Sequence, residues 1–405
     1  MSRRKVALLM TVGGEVNGKN ADRYARSLLI SITNYNPDLI DLIGSENSKK
    51  TLESLEKQYY DEYGENIEYI FKEVNEIDSF DTYFSAFEEE IFKLNKEKYD
   101  TRIDYTLGTK TMTMSAALAS ALYHKKLCFV KGKRGEKGII QGTEEAKNVN
   151  LYKFYDKTLL EKIYDLFNTN RFDSASVLLN DVVSQDIDKK VYNQFLMSYS
   201  YFDKVNHEEA YKNFNRKDFV SEFQELEDII TANYKALNII NSPSHGLKDY
   251  YILASILNNA RRRALENKFD DAIARLYRSL ELICQIRLKD YDLESSDIDI
   301  SKLGDIDEEF LDELKSKGEV IKLGLVDDFR LLYYLGDDLG KYYMDNSKVI
   351  LNIITYRNSS ILAHGLQYSS KENFDAFNDI VLSAANILTD NIDRYIEETK
   401  FPVFK

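Results

Sequence analysis

The sequence predicts an α/β domain with a Rossmann-like parallel sheet at the N-terminus, followed by a helical connector and a C-terminal helical domain. Three observations support this fold class. Short apolar runs alternate with helical patterns up to about residue 145. From about residue 150 the pattern is helical and polar, without strong strand signals. Only 3 Pro and 17 Gly occur in 405 residues, which favours long uninterrupted helices over a β-sandwich.

The N-terminal region alternates strand and helix signals, which is typical of a parallel sheet with crossover helices. The predicted strands are Val6–Thr11, Leu39–Ile43, Ile67–Val74, Ile103–Thr106 and Lys126–Val130. The predicted helices between them are Asp22–Tyr35, Ser48–Tyr63, Tyr83–Leu94 and Thr113–Tyr123.

The rest of the chain is predicted to be helical, and Asn241–His245 is predicted to be a linker because it combines a Pro with small polar residues. We therefore predict domains at 1–148, 149–245 and 246–405. The predicted helices of the last domain are Asp249–Asn267, Asp270–Arg287, Asp307–Lys317, Leu325–Leu339, Val349–Leu366 and Ser370–Glu398.

Composition indicates a globular protein with a formal net charge of −14, which disfavours a general nucleic-acid binder but allows a local cationic site. Cys128 and Cys284 lie in apolar segments without metal-ligand spacing, so we expect buried reduced thiols. No run reaches the length of a membrane span, and the first apolar run is too short for a signal peptide. We expect a cytoplasmic protein that does not bind membranes.

The segment from Arg357 to Gly365 carries the clearest chemical signal. Arg357 and His364 are seven positions apart, so on an ideal helix they would lie about 20° apart on one face. An arginine can bind a phosphate through two N–H groups, and a histidine can transfer protons near neutral pH. Asn358 can bind either the backbone or a phosphate. Such a set can cleave RNA without a metal ion, and only 4 His occur in the chain.

Two glycine-containing turns in the N-terminal region follow predicted strands. Asp104–Lys110 places small residues, hydroxyls and one lysine before a helix, which suits phosphate binding, although an ordinary strand-to-helix turn is the alternative. Gly13–Asn20 resembles a P-loop, but Asn20 stands where the magnesium-binding hydroxyl would be. A plain glycine turn at a ligand-binding sheet edge is the alternative there. A basic run such as Lys131–Lys137 is usually a solvated hairpin or loop, but near this turn it could also attract an anion.

Metal sites are not predicted. His207-Glu-Glu resembles the start of a zincin helix but lacks the second histidine. His124 and His245 have no partner in the sequence, and we expect structural roles for them.

Together these motifs resemble those of the CARF–HEPN ribonucleases found with type III CRISPR systems. Arg357, Asn358 and His364 are similar to the HEPN signature of an arginine, a polar residue and a histidine. Asp104–Lys110 resembles the CARF ligand-binding turn, and Thr11–Gly14 resembles its first-strand turn. The resemblance spans nearly the whole chain in the same motif order. One departure is Leu107, which stands where close relatives often have a glycine.

The resemblance implies a homodimer that binds a cyclic oligoadenylate, with the tetra-adenylate expected ahead of the hexa-adenylate. It implies a ligand site that contains Thr11, Gly13, Gly14, Thr106, Gly108, Thr109 and Lys110. It also implies metal-independent cleavage of single-stranded RNA through attack of the 2′-hydroxyl, with Arg357, His364 and Asn358 as catalytic residues and no cofactor.

Several alternatives remain open at this stage. One is a sensor without catalysis that signals through a partner. Another is a CARF site that slowly degrades its own ligand, with Thr11 near the scissile phosphate. An NTPase is disfavoured by Asn20, and a dehydrogenase by the lack of a G-x-G-x-x-G pattern. A transcription factor is disfavoured by the net charge.

Overall fold

The computed structural model describes residues 5–15, 17–76, 78–135, 138–140, 142–149, 151–184, 186–304, 306–362 and 365–405. The chain divides into two compact units. The first comprises Met1–Leu159 with Val182–Gln185, and the second comprises Leu160–Asp181 with Asp186–Lys405. Among the helices of these described residues, none combines the length and the apolar character needed to cross a bilayer.

The first unit contains a six-stranded sheet in the order β3-β2-β1-β4-β5-β8, in which only β8 runs antiparallel to its neighbour. The six strands are β1 (Val6–Val12), β2 (Leu39–Gly44), β3 (Ile70–Glu73), β4 (Asp100–Asp104), β5 (Lys126–Lys131) and β8 (Glu145–Val149). Between β5 and β8, β6 (Arg134–Gly135) and β7 (Gly138–Ile139) form a small antiparallel ribbon. The predicted Rossmann-like class is confirmed.

Helices cover both faces of this sheet, which explains why β1 is buried along its whole length. The four helices are α1 (Ala21–Tyr35), α2 (Lys49–Tyr63), α3 (Phe80–Lys96) and α4 (Lys110–Leu122). Leu8 and Met10 of β1 pack in a core with residues of α1 and α2, whereas Leu9 packs in a separate core with residues of α3 and α4. Alternate side chains of one strand therefore serve both faces.

The second unit is helical, and its first helix, α5, begins in the first unit. Six helices, α5–α10, form the connector region: Tyr152–Asn168, Phe172–Leu179, Lys189–Asp203, His207–Asn213, Arg216–Glu222 and Glu227–Ile240. Seven more, α11–α17, follow the predicted linker: Lys248–Leu265, Phe269–Lys289, Glu308–Ser316, Leu325–Tyr334, Asp338–Ser359, Lys371–Leu388 and Ile392–Glu398. The helical class is confirmed, and the three domain boundaries remain predictions.

Three predicted helices of the C-terminal domain are interrupted or shifted in the structure. The predicted helix Leu325–Leu339 is interrupted at Gly336, whose φ of +78° is left-handed, and a new helix begins after the N-cap Asp337. The predicted helix Val349–Leu366 instead spans Asp338–Ser359, so it starts earlier and ends earlier. The predicted helix Ser370–Glu398 is interrupted at Thr389, which has an extended backbone.

The last residues of the second unit, 399–404, pack against the connector helices, and we call them the C-terminal clasp. The Asn168 amide donates to the Phe404 carbonyl oxygen (2.8 Å) and accepts from the Phe404 N–H (3.0 Å). The Phe404 ring stacks on Tyr164 with 4.1 Å between centroids. The Phe401 ring lies under the Arg262 guanidinium at 3.7 Å. The clasp therefore joins the helix that ends at Glu398 to the aromatic core of the connector.

Candidate functional site

A cavity of about 580 Å³ lies in the first unit, where β1, β2 and β4 end at one edge of the sheet. Val12 of β1 is in register with Gly44 of β2, and Met10 with Asp104 of β4, so the turns that follow these strands come together. Parallel sheets bind ligands at this edge because the turns present free backbone N–H groups there.

Five of the predicted ligand-site residues line this cavity: Gly13, Gly14, Thr106, Gly108 and Thr109. Two of the glycines are required by their surroundings. A Cβ on Gly14 would lie 2.0 Å from the backbone oxygen of Asn47, which belongs to the turn after β2. Gly108 has a φ of +111°, which side chains rarely tolerate. The close approach of the turns after β1, β2 and β4 thus depends on glycine at positions 14 and 108.

Thr11 and Lys110 are placed differently from the other five. The Thr11 side chain is fully buried, and its hydroxyl donates to the carbonyl oxygens of Leu107 and, at 3.4 Å, Asp104. Thr11 therefore lies behind the β4 turn and does not line the cavity. Lys110 is the exposed first residue of α4 and also lies outside the lining.

The Asp104 carboxylate holds the β4 turn in place. It accepts from the Thr106 N–H at 2.8 Å and from the Ser31 hydroxyl. The Thr106 hydroxyl oxygen in turn accepts from the Val130 N–H at 2.8 Å, which ties the turn to β5. Burial raises the pKa of Asp104, and these hydrogen bonds oppose that rise. The turn is therefore fixed by the protein before any ligand arrives.

The cavity is also lined by residues outside the predicted ligand set: Arg23, Tyr24, Ser45, Asn47, Tyr105, Phe129 and Lys131. The Tyr105 and Phe129 rings lie 5.5 Å apart, and such faces can stack on nucleobases. Ser45 and Asn47 follow β2 at the ligand-binding edge, so the strand-end rule would have found them. Lys131 begins the basic loop that was predicted to attract an anion. Arg23 and Tyr24 depend on how α1 packs, and no sequence signal marks them.

The P-loop-like segment is held together by side-chain hydrogen bonds to Glu15. The Asn20 amide donates to Glu15 Oε1 at 2.7 Å, and the Tyr24 hydroxyl donates to the same oxygen at 3.0 Å. Asn20 thus closes the loop onto Glu15. Across the described ranges no group of three or more His, Cys, Asp or Glu is arranged to hold a metal ion.

The second candidate site lies at the end of α15 in the second unit. The helix carries Arg357 and Asn358 and ends at Ser359. The prediction that one continuous helix carries both Arg357 and His364 is therefore wrong, and the 20° argument does not apply. The helix ends where Ser360 adopts an extended backbone and pairs with Gln367 in a β-bridge. Ser360 is also buried. His364 lies outside the described residues.

Gly365, the residue after His364, lies against the end of α15. Its N–H donates to the Ser360 carbonyl oxygen at 3.2 Å, and an added Cβ would lie 2.0 Å from the Ser359 oxygen. Only a glycine fits this close approach. The tight packing against Ser359 gives a physical reason for a glycine at position 365.

Arg357 has two close contacts. Its Nη1 donates to Asn358 Oδ1 at 2.9 Å, and its guanidinium carbon lies 4.7 Å from the centre of the Tyr277 ring. Within the described residues no carboxylate lies within 4.0 Å of this guanidinium, whereas the nearby Arg278 is paired with Glu281 at 3.2 Å. Most N–H donors of Arg357 are thus available for an anion.

His207, Cys128 and Cys284 lie in surroundings that indicate a role in packing and not in catalysis. His207 is buried, its Nε2 lies 2.8 Å from the Ser255 hydroxyl, and burial lowers its pKa to about 4. Cys128 and Cys284 are free and buried, as predicted. Burial raises the pKa of both thiols, which keeps them protonated and unreactive.

Comparison with known proteins agrees with this architecture. The family model of the Csm6 HEPN domain matches residues 245–388, and that of the Csm6 6H domain matches residues 155–240. No curated protein matches the chain. The solved structure of Enterococcus italicus Csm6 bound to cyclic hexa-2′-fluoro-hexa-dAMP is similar, with a TM-score of 0.63 and 13% sequence identity. The match covers 98% of this chain and 100% of that one, and at this identity it shows the fold alone.

Proposed function

Since this chain belongs to the Csm6 family of CARF–HEPN proteins, we propose that it is an endoribonuclease of type III CRISPR defence, activated by a cyclic oligoadenylate. The observation that carries the proposal is Arg357 at the end of α15 in the HEPN domain, most of whose N–H donors have no partner among the residues that the structure describes. The cavity of the first unit supplies the ligand site that such an enzyme needs.

The chemistry of the cavity suits a nucleotide ring. Turn N–H groups and the cations of Arg23 and Lys131 attract phosphates, and the Tyr105 and Phe129 faces suit adenines. The similar Enterococcus italicus protein was solved with a six-membered ring analogue. We therefore propose a cyclic oligoadenylate as activator and test both the tetra- and the hexa-adenylate. Thr11 and Lys110 would support the turn and the entrance rather than the floor of the cavity.

A homodimer is the second part of the proposal, because a symmetric ring is best bound across a two-fold axis. Exposed apolar side chains support it. Met114, Leu118 and Leu122 form one stripe on α4, the helix that begins at the cavity. Near the second site, Tyr356 and Leu366 are also exposed, the latter to 90%. Unpaired apolar patches of this kind are typical of protein interfaces.

The proposed reaction needs no metal ion. The substrate 2′-oxygen forms a bond to the adjacent phosphorus while the bond from phosphorus to the 5′-oxygen breaks, which leaves a 2′,3′-cyclic phosphate and a 5′-hydroxyl. In the dimer, one His364 accepts the 2′-hydroxyl proton and the other protonates the leaving 5′-oxygen. Arg357 stabilises the negative charge on the phosphate oxygens. Asn358 holds the Arg357 guanidinium through the observed hydrogen bond.

The experiment that tests this proposal is cleavage of a fluorogenic single-stranded RNA in EDTA, with and without each ring. We expect cleavage with one ring only. His364→Ala should lower the rate at saturating ring by at least about 100-fold, because proton transfer contributes that much to such reactions. Ring binding, measured by calorimetry, should not change.

The matched control is His245→Ala, which removes an exposed histidine of the linker. It should keep the wild-type rate. Ring binding without cleavage by the wild-type protein would favour a sensor that signals through a partner. Loss of the ring in the absence of RNA would favour a CARF site that degrades its ligand. Cleavage retained in His364→Ala would refute the catalytic assignment.

A further inference from the structure

Arg357 is held by an aromatic face rather than by a carboxylate. Its guanidinium carbon lies 4.7 Å from the Tyr277 ring centre, and one N–H is used by Asn358. On the same helix as Tyr277, Arg275 is paired with Asp271 and Arg278 with Glu281. Arg357 lacks such an ion pair in the part of the chain that the structure describes, so its environment differs from that of its neighbours.

This arrangement has a chemical consequence. A carboxylate partner would occupy the pair of N–H groups that a phosphate needs, because both anions bind the guanidinium through the same edge. An aromatic ring instead contacts the flat face and leaves the N–H edges available. A guanidinium without any partner would sample many rotamers. Tyr277 therefore restricts the side chain while keeping its binding edge open.

Tyr277 is itself well supported. It lies in the middle of α12, and its neighbours Leu276 and Leu280 are fully buried. Its ring packs against the core of the second unit, which fixes its orientation. Burial raises the pKa of its phenol, and Glu281 raises it further, so the ring stays neutral at physiological pH. The Tyr277 ring is thus held in one orientation, with one face against the Arg357 guanidinium.

We propose that Tyr277 is a positioning residue for Arg357 in RNA cleavage. The proposal rests on the proposed ribonuclease function. Tyr277 acts through its ring face, so its hydroxyl is dispensable. It touches Arg357 and not the substrate, and its role is to present the guanidinium to the phosphate whose negative charge increases in the transition state.

The test compares Tyr277→Leu, which removes the aromatic face, with Tyr277→Phe, which keeps it. At saturating ring, Tyr277→Leu should lower kcat by about 5- to 30-fold, the range that a cation–π contact corresponds to, and should change KM by less than about 2-fold. Tyr277→Phe should keep at least about half of the wild-type kcat. The control Tyr250→Leu alters another half-buried tyrosine of the same unit, away from Arg357, and should keep kcat.

A double-mutant comparison separates positioning from a general structural effect. In the Arg357→Ala background, Tyr277→Leu should cause no further loss of the residual rate. A further loss of the same size, an unchanged kcat in Tyr277→Leu, or an equal loss in Tyr277→Phe would each overturn the proposal.

A readout independent of activity keeps this proposal distinct from the ribonuclease assignment. In protein labelled with ¹⁵N-arginine, the Arg357 Nε–H resonance should carry a ring-current shift in the wild type and in Tyr277→Phe. The shift should disappear in Tyr277→Leu. If the wild type cleaves no RNA with any ring, the proposed function fails, whatever the resonance shows. A resonance that is the same in all three proteins would overturn the Tyr277 role alone.

Discussion

The Thr11 hydroxyl holds the turn after β4 from behind, because it donates to the Leu107 carbonyl oxygen. The Leu107 side chain packs against the core on the α1 side, which leaves the backbone of the turn to line the cavity. The core thus accommodates a leucine at this position of the turn. Thr11 serves the ligand site through this contact, without lining the site itself.

Thr11→Val keeps the shape of the side chain and removes its hydroxyl. The Leu107 carbonyl oxygen would lose its hydrogen-bond donor at a partly buried site, which should cost about 1 kcal/mol of stability. We expect ring affinity to fall about 3- to 10-fold as the turn loosens. Calorimetric titration of the ring measures this change, with Thr33→Val, an exposed threonine bonded to Tyr63, as control. Unchanged affinity would contradict the supporting role.

The residues of the cavity show what a sequence reveals and what it does not. Gly14 and Gly108 were assigned to the ligand site through the family resemblance, and both line the cavity. Turn chemistry agrees, since small residues leave backbone N–H groups open to a phosphate. Arg23 was missed because it reaches the cavity only through the packing of α1. Its position therefore depends on tertiary structure, which no local pattern encodes.

Among the helices and strands, the ends were harder to predict than the elements themselves. The break in the predicted helix Leu325–Leu339 is marked in the sequence by Gly336, a residue type that often follows the end of a helix. Asp337 is then the N-cap of the next helix and accepts from the Leu339 N–H at 2.8 Å. The end of α15 was not predictable in this way. It depends on the bridge from Ser360 to Gln367, which forms only after the chain returns. Strand β8 was missed because its sequence lacks an apolar pattern.

The contact of β2 with α3 contains a buried carboxyl pair. Asp41 is 1% exposed, and its Oδ1 has no hydrogen-bond partner in the part of the chain that the structure describes. Burial, with the nearby Glu90, raises the pKa of Asp41 to about 7, against the opposing effect of Lys93 and Lys72. Glu90 accepts from both lysines, at 2.8 and 3.1 Å, and they lower its pKa despite its burial.

The stability advantage of the Asp41→Asn variant over the wild type should increase as pH rises. In the wild type, unfolded Asp41 ionises near its ordinary value of 3.8 and folded Asp41 near 7, so folding binds a proton between these values. Stability is therefore lost as pH rises through this window, and the variant avoids the loss. The gain relative to wild type should grow by roughly 1–3 kcal/mol from pH 4 to pH 8.

Thermal unfolding of the two proteins across this pH range measures the difference. Because Glu90 interacts with Asp41, the comparison reports the titration of the pair and not of Asp41 by itself. Asp61→Asn, at an exposed position of α2, is the control and should show no such trend. A pH-independent difference for Asp41→Asn would contradict the raised pKa.

On the scale of the whole molecule, the net charge of −14 and the proposed RNA substrate are compatible because the cations that matter are local. The fold class and the order of the motifs were predictable from strand–helix alternation and from the family resemblance. The C-terminal clasp was not, because it joins residues that are 236 positions apart. Local patterns carry no information about such a pairing.

Phe404→Ala should loosen the connector. The Phe404 ring is 7% exposed and contacts Tyr164 and Phe167, so its loss should cost about 3–5 kcal/mol locally. Hydrogen exchange of the α5 and α7 amides should speed up, while exchange in the six-stranded sheet of the first unit stays the same. Val403→Ala, at the exposed neighbouring position, is the control and should change little. Equal protection of the α5 and α7 amides in Phe404→Ala and Val403→Ala would show that the clasp does not stabilise the connector.

The clasp also imposes an order on how the protein is made. Phe404 leaves the ribosome 236 residues after Asn168, its hydrogen-bond partner. At about 5–20 residues per second, this delay is roughly 10–50 s. During that time, the Tyr164 and Phe167 rings lack the contact that Phe404 makes with them in the folded protein. We expect α5, the helix that carries both rings, to acquire its final packing only after synthesis reaches the clasp.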